Sequence, residues 1–283
     1  MKKKHGIISI KIGILAILLI VLGISYLQDA IWLERLDSKE SKFAFRALSF
    51  NQETIESLRQ VKKENPSDWD KKLAFAMIRQ DFHFEQKRDL EVRTVPNYYN
   101  YSKKFGKLRK SYRELFTDIE YFPVGEDIDG KEHCFYENSW YSERAYGGKR
   151  VHEGTDIMTS NNKRGYFPVY SMTDGRIEKK GWLKLGGYRI GVRAPGGGYF
   201  YYAHMSEYAP NLEEGDIIKA GQLIGYVGDT GYSEVEGTTG NFDVHLHVGV
   251  YLKQAGKEIS VNPYWILKYI EDKKVPFHLE GNE

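Results

Sequence analysis

The first pattern along the chain is a long run of apolar residues close to the amino terminus. Residues 6–27 are apolar except for Lys11 and two serines, and lysines at positions 2, 3 and 4 precede the run. About 20 such residues form a helix long enough to span a bilayer. The positive-inside rule places residues 1–5 on the cytoplasmic side and the chain after residue 27 outside. The run therefore predicts a transmembrane signal anchor with a short basic tail.

A cleaved signal peptide is the alternative for this segment. Such a peptide has a shorter apolar core and ends in a cleavage motif of two small residues with one residue of any type between them. Residues 25–30, Ser-Tyr-Leu-Gln-Asp-Ala, contain no convincing motif of that kind. The uncleaved anchor is favoured, which gives a single-pass membrane protein with most of its chain outside the cytoplasm.

Residues 28–120 show the periodicity of amphipathic helices. Apolar residues recur at spacings of three, four and seven, while Lys and Glu fill the other positions. These apolar positions are Leu48, Ile55, Leu58 and Val61 and, after a break at Asn65-Pro66, Ala74, Met77 and Ile78. The pattern predicts two to four helices that form a stalk or a small helical domain, with Ser67 capping a helix that begins near Asp68.

From residue 121 the apolar runs become short, and glycine-containing turns separate them. Clear runs occupy residues 188–193, 199–203, 223–227 and 244–252. Short strands at close spacing, with no helical period between them, predict a mainly β domain with an antiparallel sheet over residues 121–267. A short helix is expected around residues 263–271, and residues 268–283 are expected to be a C-terminal tail.

Composition and charge remove several classes of function. The 283 residues carry 41 Lys and Arg against 39 Asp and Glu, so no global positive field indicates a nucleic-acid partner. The single cysteine, Cys134, forms neither an intramolecular disulfide nor a thiolate metal site. A buried, inert thiol beside Phe135 is favoured over a reactive one.

Candidate chemistry lies in four histidines of the β region: His152, His204, His245 and His247. Asp156 follows His152 after four positions, with Gly154 between them suited to a bend. On a strand, His245 and His247 share one face. Catalytic zinc needs three nitrogen or oxygen ligands and an open position, which two histidines and one aspartate supply. The alternative is that these histidines are ordinary polar residues paired with acidic groups.

Five blocks of sequence together carry a family resemblance. They are the runs at residues 152–157, 168–177, 202–206, 221–231 and 245–247. In order and spacing they resemble the lysostaphin-type (LytM) zinc endopeptidases over residues 136–265. No HExxH motif is present, which disfavours a helical zinc protease. The resemblance implies a compact antiparallel β fold with a groove, one zinc ion per chain, and hydrolysis of peptide bonds in peptidoglycan.

The resemblance also implies residue roles. His152, Asp156 and His247 match the three zinc ligands of the family, and His204 and His245 match its two catalytic histidines.

The segment at residues 138–150 resembles a narrower group, the sporulation-associated endopeptidases that cut between L-Ala and D-Glu. Trp140 and Arg144 are its candidate substrate contacts, Arg144 through the carboxylate of D-glutamate. Surface packing is the alternative for both.

The chain departs from the family just before the last ligand. Asp243-Val244 stands where family members commonly have Gly-Pro or Pro-Pro, and a longer loop at residues 232–242 precedes it. Asp243 is expected either to support the metal ligands or simply to end the loop. The departure affects the shape of the cleft and its specificity rather than the metal site.

Two functional hypotheses result. The first is an enzyme anchored in a bacterial cell membrane that cuts peptidoglycan peptides outside it, in cell-wall remodelling or lysis. The second is a membrane-anchored envelope scaffold without catalysis, for example in sporulation. Hydrolysis dependent on His204 and His245 separates the two.

Overall fold

The computed structural model describes residues 2–84, 90, 94–144 and 148–278, with side chains described from residue 10 onward. Met1 of the predicted tail, residues 145–147 of the segment before the first predicted ligand, and residues 279–283 lie outside the described residues.

The chain begins with one long helix, α1 (Lys2–Arg35). Its part Ile10–Arg35 is long and apolar enough to cross a membrane, a property that signal sequences share. Residues 10–28 are exposed, whereas Asp29 near its end is buried. The Asp29 carboxylate accepts a hydrogen bond from the Tyr98 hydroxyl and lies 3.5 Å from the Arg79 guanidinium. The last turns of α1 therefore belong to the folded region.

Four further helices follow: α2 (Lys39–Ala47), α3 (Gln52–Glu64), α4 (Trp69–Arg79) and α5 (Lys103–Phe116), with a short 3-10 helix at Asn97–Tyr101 before the last. Side chains at Ser38, Asn51 and Ser102 cap α2, α3 and α5. The expected cap at Ser67 is wrong, because α4 starts one residue later with Asp68 at its N-cap and without a side-chain cap bond.

The helices pack on the β domain instead of standing apart from it as a stalk. The Arg46 guanidinium donates to the Ser260 carbonyl at 2.7 Å, and the Asn262 side chain donates to the Ala47 carbonyl at 3.0 Å. One continuous cluster of buried apolar side chains runs from the helices into the sheet. The helices of residues 28–120 therefore share one hydrophobic core with the sheet.

The predicted antiparallel sheet is confirmed. The strands are β1 (Glu126–Asp127), β2 (Cys134–Tyr136), β3 (Glu143–Arg144), β4 (Arg150–Val151), β5 (Thr155–Thr159), β6 (Pro168–Tyr170), β7 (Gly175–Leu183), β8 (Gly187–Arg193), β9 (Tyr199–Tyr208), β10 (Ile217–Ile218), β11 (Leu223–Val227), β12 (His245–Gln254), β13 (Lys257–Val261) and β14 (Pro276–Phe277). The order in the main sheet is β10, β7, β8, β9, β12, β5, β2, with β13 beside β12 and with β11 joining β9 to β6.

Residues 268–278, the described part of the segment predicted as a C-terminal tail, are joined to the domain by strand pairing. Helix α6 (Tyr264–Tyr269) follows β13, and β14 then pairs in parallel with β1.

Cys134 is only partly buried, and burial raises the pKa of its thiol. A raised pKa makes the thiol less reactive, in keeping with the packing role expected from the sequence.

Strand β12 shows how the sheet separates the core from the functional face. Leu246 and Val248 are fully buried on the core side. The alternate residues, His245 and His247, lie on the opposite face because side chains alternate along a strand. His247 is in register with Asp156 of β5, which places the predicted ligands side by side on this second face.

Candidate metal centre and cleft

The second face of the sheet forms the floor of an open cleft with a volume of about 730 Å³. All five residues that the resemblance singled out as ligands or catalytic histidines line this cleft. They come from the loop before β5, from β5 itself, and from β9 and β12. Residues distant in the sequence thus meet because β5, β12 and β9 are neighbours in the sheet.

His152, Asp156 and His247 form a compact cluster. His152 Nε2 lies 3.1 Å from Asp156 Oδ1 and 3.0 Å from His247 Nδ1, and the last two atoms are 2.9 Å apart. Two ligands bound tetrahedrally to zinc at 2.0–2.1 Å are about 3.3 Å apart. The three donor atoms need to separate by only a few tenths of an ångström to hold such an ion.

The orientation of His152 depends on the backbone of Ser139. His152 Nδ1 lies 3.1 Å from the Ser139 carbonyl, so a proton on Nδ1 leaves the lone pair of Nε2 facing the cluster. The Arg144 guanidinium lies 2.9 Å from the same Nδ1, and donation from it would require the opposite tautomer. The tautomer that donates to Ser139 is the one that gives a metal its ligand atom. No sequence pattern indicates this carbonyl.

Gly154 provides space for the ring of His247. A Cβ at this position would lie 2.4 Å from His247 Cε1 and 2.6 Å from the Val248 carbonyl oxygen. Because its φ is not positive, an L residue could adopt the same backbone conformation. Close approach, rather than the bend expected from the sequence, is what requires glycine here.

A backbone carbonyl orients each of the two rings of His204 and His245. His204 Nδ1 lies 2.7 Å from the Thr230 carbonyl, and His245 Nδ1 lies 2.7 Å from the Asp243 carbonyl. Donation from Nδ1 leaves Nε2 of each ring available in the cleft. The rings are 4.8 Å apart between centroids, and both are buried. Both rings can therefore form a hydrogen bond to the same bound group, or transfer a proton to or from it.

A β-bulge directs His204 into the cleft. Two residues of β9, Ala203 and His204, face the single residue Arg189 of β8. His204 has a φ of +61°, and its backbone N–H donates to the Gly186 carbonyl at 2.8 Å. A non-glycine residue in this conformation costs of order 1 kcal/mol, and such strain is typical of functional sites.

Burial and hydrogen bonding shift the ionisation of the cluster. Burial alone would raise the pKa of the Asp156 carboxyl, but its close contacts with the rings of His152 and His247 hold the pKa well below its usual range. Burial, followed by the neighbouring His245, lowers the pKa of His204 well below the ordinary value. Burial likewise lowers the pKa of His247. At neutral pH Asp156 is therefore a carboxylate and the His247 ring is neutral, which is the state in which these two groups bind a metal.

The two predicted substrate contacts have different surroundings. Arg144 Nη2 donates to Asp156 Oδ2 at 2.6 Å, so its guanidinium is bound to a predicted metal ligand. Trp140 is buried, its ring lies 5.7 Å from that of Phe43 in α2, and it does not line the cleft. Packing against the helical region accounts for Trp140. Arg144 lines the cleft, and its Nε has no hydrogen-bond partner among the described residues, so its role as a substrate contact stays a prediction.

The loop at residues 232–242 covers one side of His204. Phe242 contacts the His204 ring edge-on, with 4.6 Å between centroids. The loop is fixed through Asp229, which accepts hydrogen bonds from Arg164 at 3.0 Å and from the Gly240 N–H at 2.8 Å. Asp243 is exposed and supports His245 through its carbonyl rather than its carboxylate.

The fold and the site together define a β-sheet protein with a three-donor metal-type cluster in an open cleft, an arrangement that suits metal-dependent hydrolysis. Residues 150–263 match Peptidase family M23. A solved structure from Ruminococcus gnavus, assigned as a candidate glycyl-glycine endopeptidase lytM, is 41% identical and has a TM-score of 0.74. The similarity covers 87% of this chain and 98% of that one. The chain belongs to the M23 peptidase family.

Two curated relatives share the same region. An L-Ala–D-Glu endopeptidase of Bacillus subtilis strain 168 is 39% identical over 160 residues, 56% of this chain and 46% of that protein. The glycyl-glycine endopeptidase ALE-1 of Staphylococcus capitis is 44% identical over 103 residues, 36% of this chain and 26% of that protein. The chain thus spans less than half the length of either relative. Homologues in this family hydrolyse peptidoglycan, and the family is zinc-dependent.

Proposed function

We propose that this protein is a zinc-dependent endopeptidase that hydrolyses peptide bonds in peptidoglycan, at the outer face of a bacterial membrane to which α1 anchors it. The observation that carries the proposal is the convergence of His152, Asp156 and His247 beside two further histidines in one open cleft. A non-catalytic scaffold has no chemical need for the additional pair.

The donor set fits zinc and leaves room for reaction. Two imidazole nitrogens and one carboxylate oxygen lie within 4.8 Å of one another, which is the ligand number and type of a catalytic zinc site. Structural zinc sites usually have four ligands, often cysteines, and the lone Cys134 lies outside the cleft. Zinc bound there supplies polarisation of the scissile carbonyl and activation of water.

The remaining chemistry falls to His204 and His245. Each ring donates its Nδ1 proton to a backbone carbonyl, so each Nε2 can accept a proton from the attacking water. Once protonated, the same Nε2 can donate to the oxyanion of the tetrahedral intermediate or to the leaving amine. Asp156 stays ionised throughout because its pKa is held low by the neighbouring histidines.

The substrate class follows from the relatives and from the cleft. One relative is an L-Ala–D-Glu endopeptidase and two are glycyl-glycine endopeptidases by description. An open cleft on a sheet face accepts an extended peptide. We take the peptidoglycan stem peptide as the substrate, with the L-Ala–D-Glu bond as the first to test.

The test uses the full chain in detergent, because the helices pack on the β domain. Zinc-loaded protein is incubated with purified peptidoglycan and synthetic stem peptides, with and without a chelator, and products are identified by mass spectrometry. We expect chelator-sensitive cleavage, and a loss of about 100- to 10,000-fold in His204→Ala and His245→Ala with zinc content unchanged. Zinc-bound protein that cuts no wall peptide would favour the scaffold hypothesis, and undiminished cleavage by either variant would contradict the assigned roles.

A further inference from the structure

Four cationic side chains line the cleft, and three of them have evident partners or full hydration. Arg144 is bound to Asp156, and Arg150 donates to a tyrosine hydroxyl at 2.9 Å. Lys179 is exposed to solvent. The fourth, Arg189 on β8, is different because its side chain is only 12% exposed.

The Arg189 guanidinium lacks a hydrogen-bond acceptor among the described residues. Its Nη1 is buried without a hydrogen-bond partner. Its one ion pair within the described part of the chain is with Glu214, at 3.9 Å from Nη1 to Oε1, which is too long for a hydrogen bond. That Oε1 already accepts from the Lys180 N–H at 2.7 Å. Nε and Nη2 have no hydrogen-bond acceptor among the described residues either, and unlike Nη1 they are not fully buried. A guanidinium without acceptors is costly, and a carboxylate in the cleft that Arg189 lines could bind these two nitrogens.

The sheet fixes the distance between Arg189 and the metal cluster. Arg189 faces Ala203 across the bulge, and Ala203 is in register with His247 on the next strand. Two strand spacings separate the backbones of Arg189 and His247, about 10 Å. A carboxylate within one or two residues of the scissile bond could therefore reach the guanidinium.

Two tyrosines, Tyr199 and Tyr201, line the same cleft as Arg189. A Cβ on Gly191 would collide with the hydroxyl of Tyr199, and one on Gly186 would lie 2.3 Å from the hydroxyl of Tyr201. The two hydroxyls therefore occupy space that a side chain at Gly191 or Gly186 would fill. The tyrosines give the cleft an aromatic surface on which an extended peptide can lie.

We propose that Arg189 is a specificity-determining residue that binds a free carboxylate of the substrate, so that the preferred substrate is an acidic peptide. The proposal rests on the proposed function and names the substrate class of the same site. A guanidinium binds a carboxylate through two parallel hydrogen bonds, a geometry that lysine cannot reproduce. In the stem peptide the D-glutamate residue supplies such a carboxylate, which the sequence comparison with the narrower family assigns to Arg144 as its binding partner.

The experiment compares two peptides that differ in one group. One is an L-Ala–D-Glu stem peptide with a free α-carboxylate, and the other carries a carboxamide at that position. The wild-type chain in detergent, loaded with zinc, should cut the carboxylate peptide with kcat/KM about 10- to 100-fold higher. Binding of both peptides to chelator-treated protein, measured by fluorescence anisotropy of labelled peptides, should show the same order of preference.

Three variants test the residue. Arg189→Met should reduce the preference to about threefold or less, and Arg189→Lys should restore part of it because the charge remains. Arg176→Met on β7 removes an exposed arginine outside the cleft and should leave the ratio unchanged. Zinc content should be equal in all of them. An Arg189→Met protein that keeps the full preference would overturn the proposal, since a merely structural arginine would not alter the ratio.

The outcomes separate this inference from the proposed hydrolysis. Equal cleavage of both peptides by the wild type would leave the endopeptidase in place and refute the role of Arg189. If neither peptide is cut, but a binding preference is present and disappears in Arg189→Met, the proposed hydrolysis fails and the carboxylate site stands.

Discussion

Replacing Gly154 by alanine should damage the metal centre through a single methyl group. The new Cβ would lie 2.4 Å from His247 Cε1, 2.5 Å from His247 Nε2 and 2.6 Å from the Val248 carbonyl oxygen. All three distances are far below van der Waals contact. Val248 is in the middle of the sheet, so its backbone cannot easily yield. The ring of His247 must therefore shift from the position in which its Nδ1 meets His152 and Asp156.

The size of the effect follows from the cost of overpacking. An extra methyl in a well-packed site costs about 1–3 kcal/mol. If displacement of His247 carries this cost, zinc affinity falls by roughly 5- to 150-fold. Gly106 is the matched control, because it lies exposed in α5 with nothing within 4 Å of an added Cβ. Gly106→Ala should leave zinc affinity within about twofold and raise the free energy of unfolding by about 0.5–1 kcal/mol.

The assay is competition for zinc with a chromophoric chelator, on folded full-length protein in detergent. A second comparison isolates the steric cause. In a His247→Ala background the ring is absent and cannot be displaced. Gly154→Ala should therefore change zinc affinity much less in that background than in the wild type. Unchanged zinc affinity in Gly154→Ala would refute the reasoning, as would an equal loss in both backgrounds.

Two further predictions concern pH and the membrane. Burial lowers the pKa of His204 and His247 in the folded chain, so the unfolded chain takes up protons first as the pH falls below about 6.5. Metal-free protein should therefore lose up to about 1.4 kcal/mol of unfolding free energy per pH unit for each of the two histidines. His204→Asn, which tolerates the positive φ, should lessen this slope in urea titrations at several pH values, and an unaltered slope would contradict the assignment. The α1 helix should keep the chain in the membrane fraction after alkaline carbonate washing and release it only with detergent, whereas a shortened, freely soluble mature form would show that the segment is cleaved.

The alternation along β12 could be predicted from the sequence because a strand has a period of two, which put His245 and His247 on one face. The meeting of this pair with His152 and Asp156 could be predicted only through the family resemblance. Strand order is a long-range property that local patterns do not contain.

Other features of the site depend on contacts that no local pattern records. The carbonyls of Ser139, Thr230 and Asp243 that orient the three imidazoles are backbone groups, and every residue has one. The bulge at His204 requires a conformation that β propensity disfavours. Arg189 lies in a predicted strand at an ordinary alternating position. Only the structure shows that its Nη1 is buried without a hydrogen-bond partner.

The end of α1 determines how far such an enzyme could reach. Because Asp29 is buried against Tyr98 and Arg79, and only three residues separate α1 from α2, no flexible linker lies between the apolar helix and the folded region. With α1 in a bilayer, the cleft would stay at one height and one tilt above the lipid surface. Such an enzyme could not reach distant parts of the cell wall, as a catalytic domain on a long flexible linker can. It would act only on strands within one molecular diameter of the membrane, where new peptidoglycan emerges.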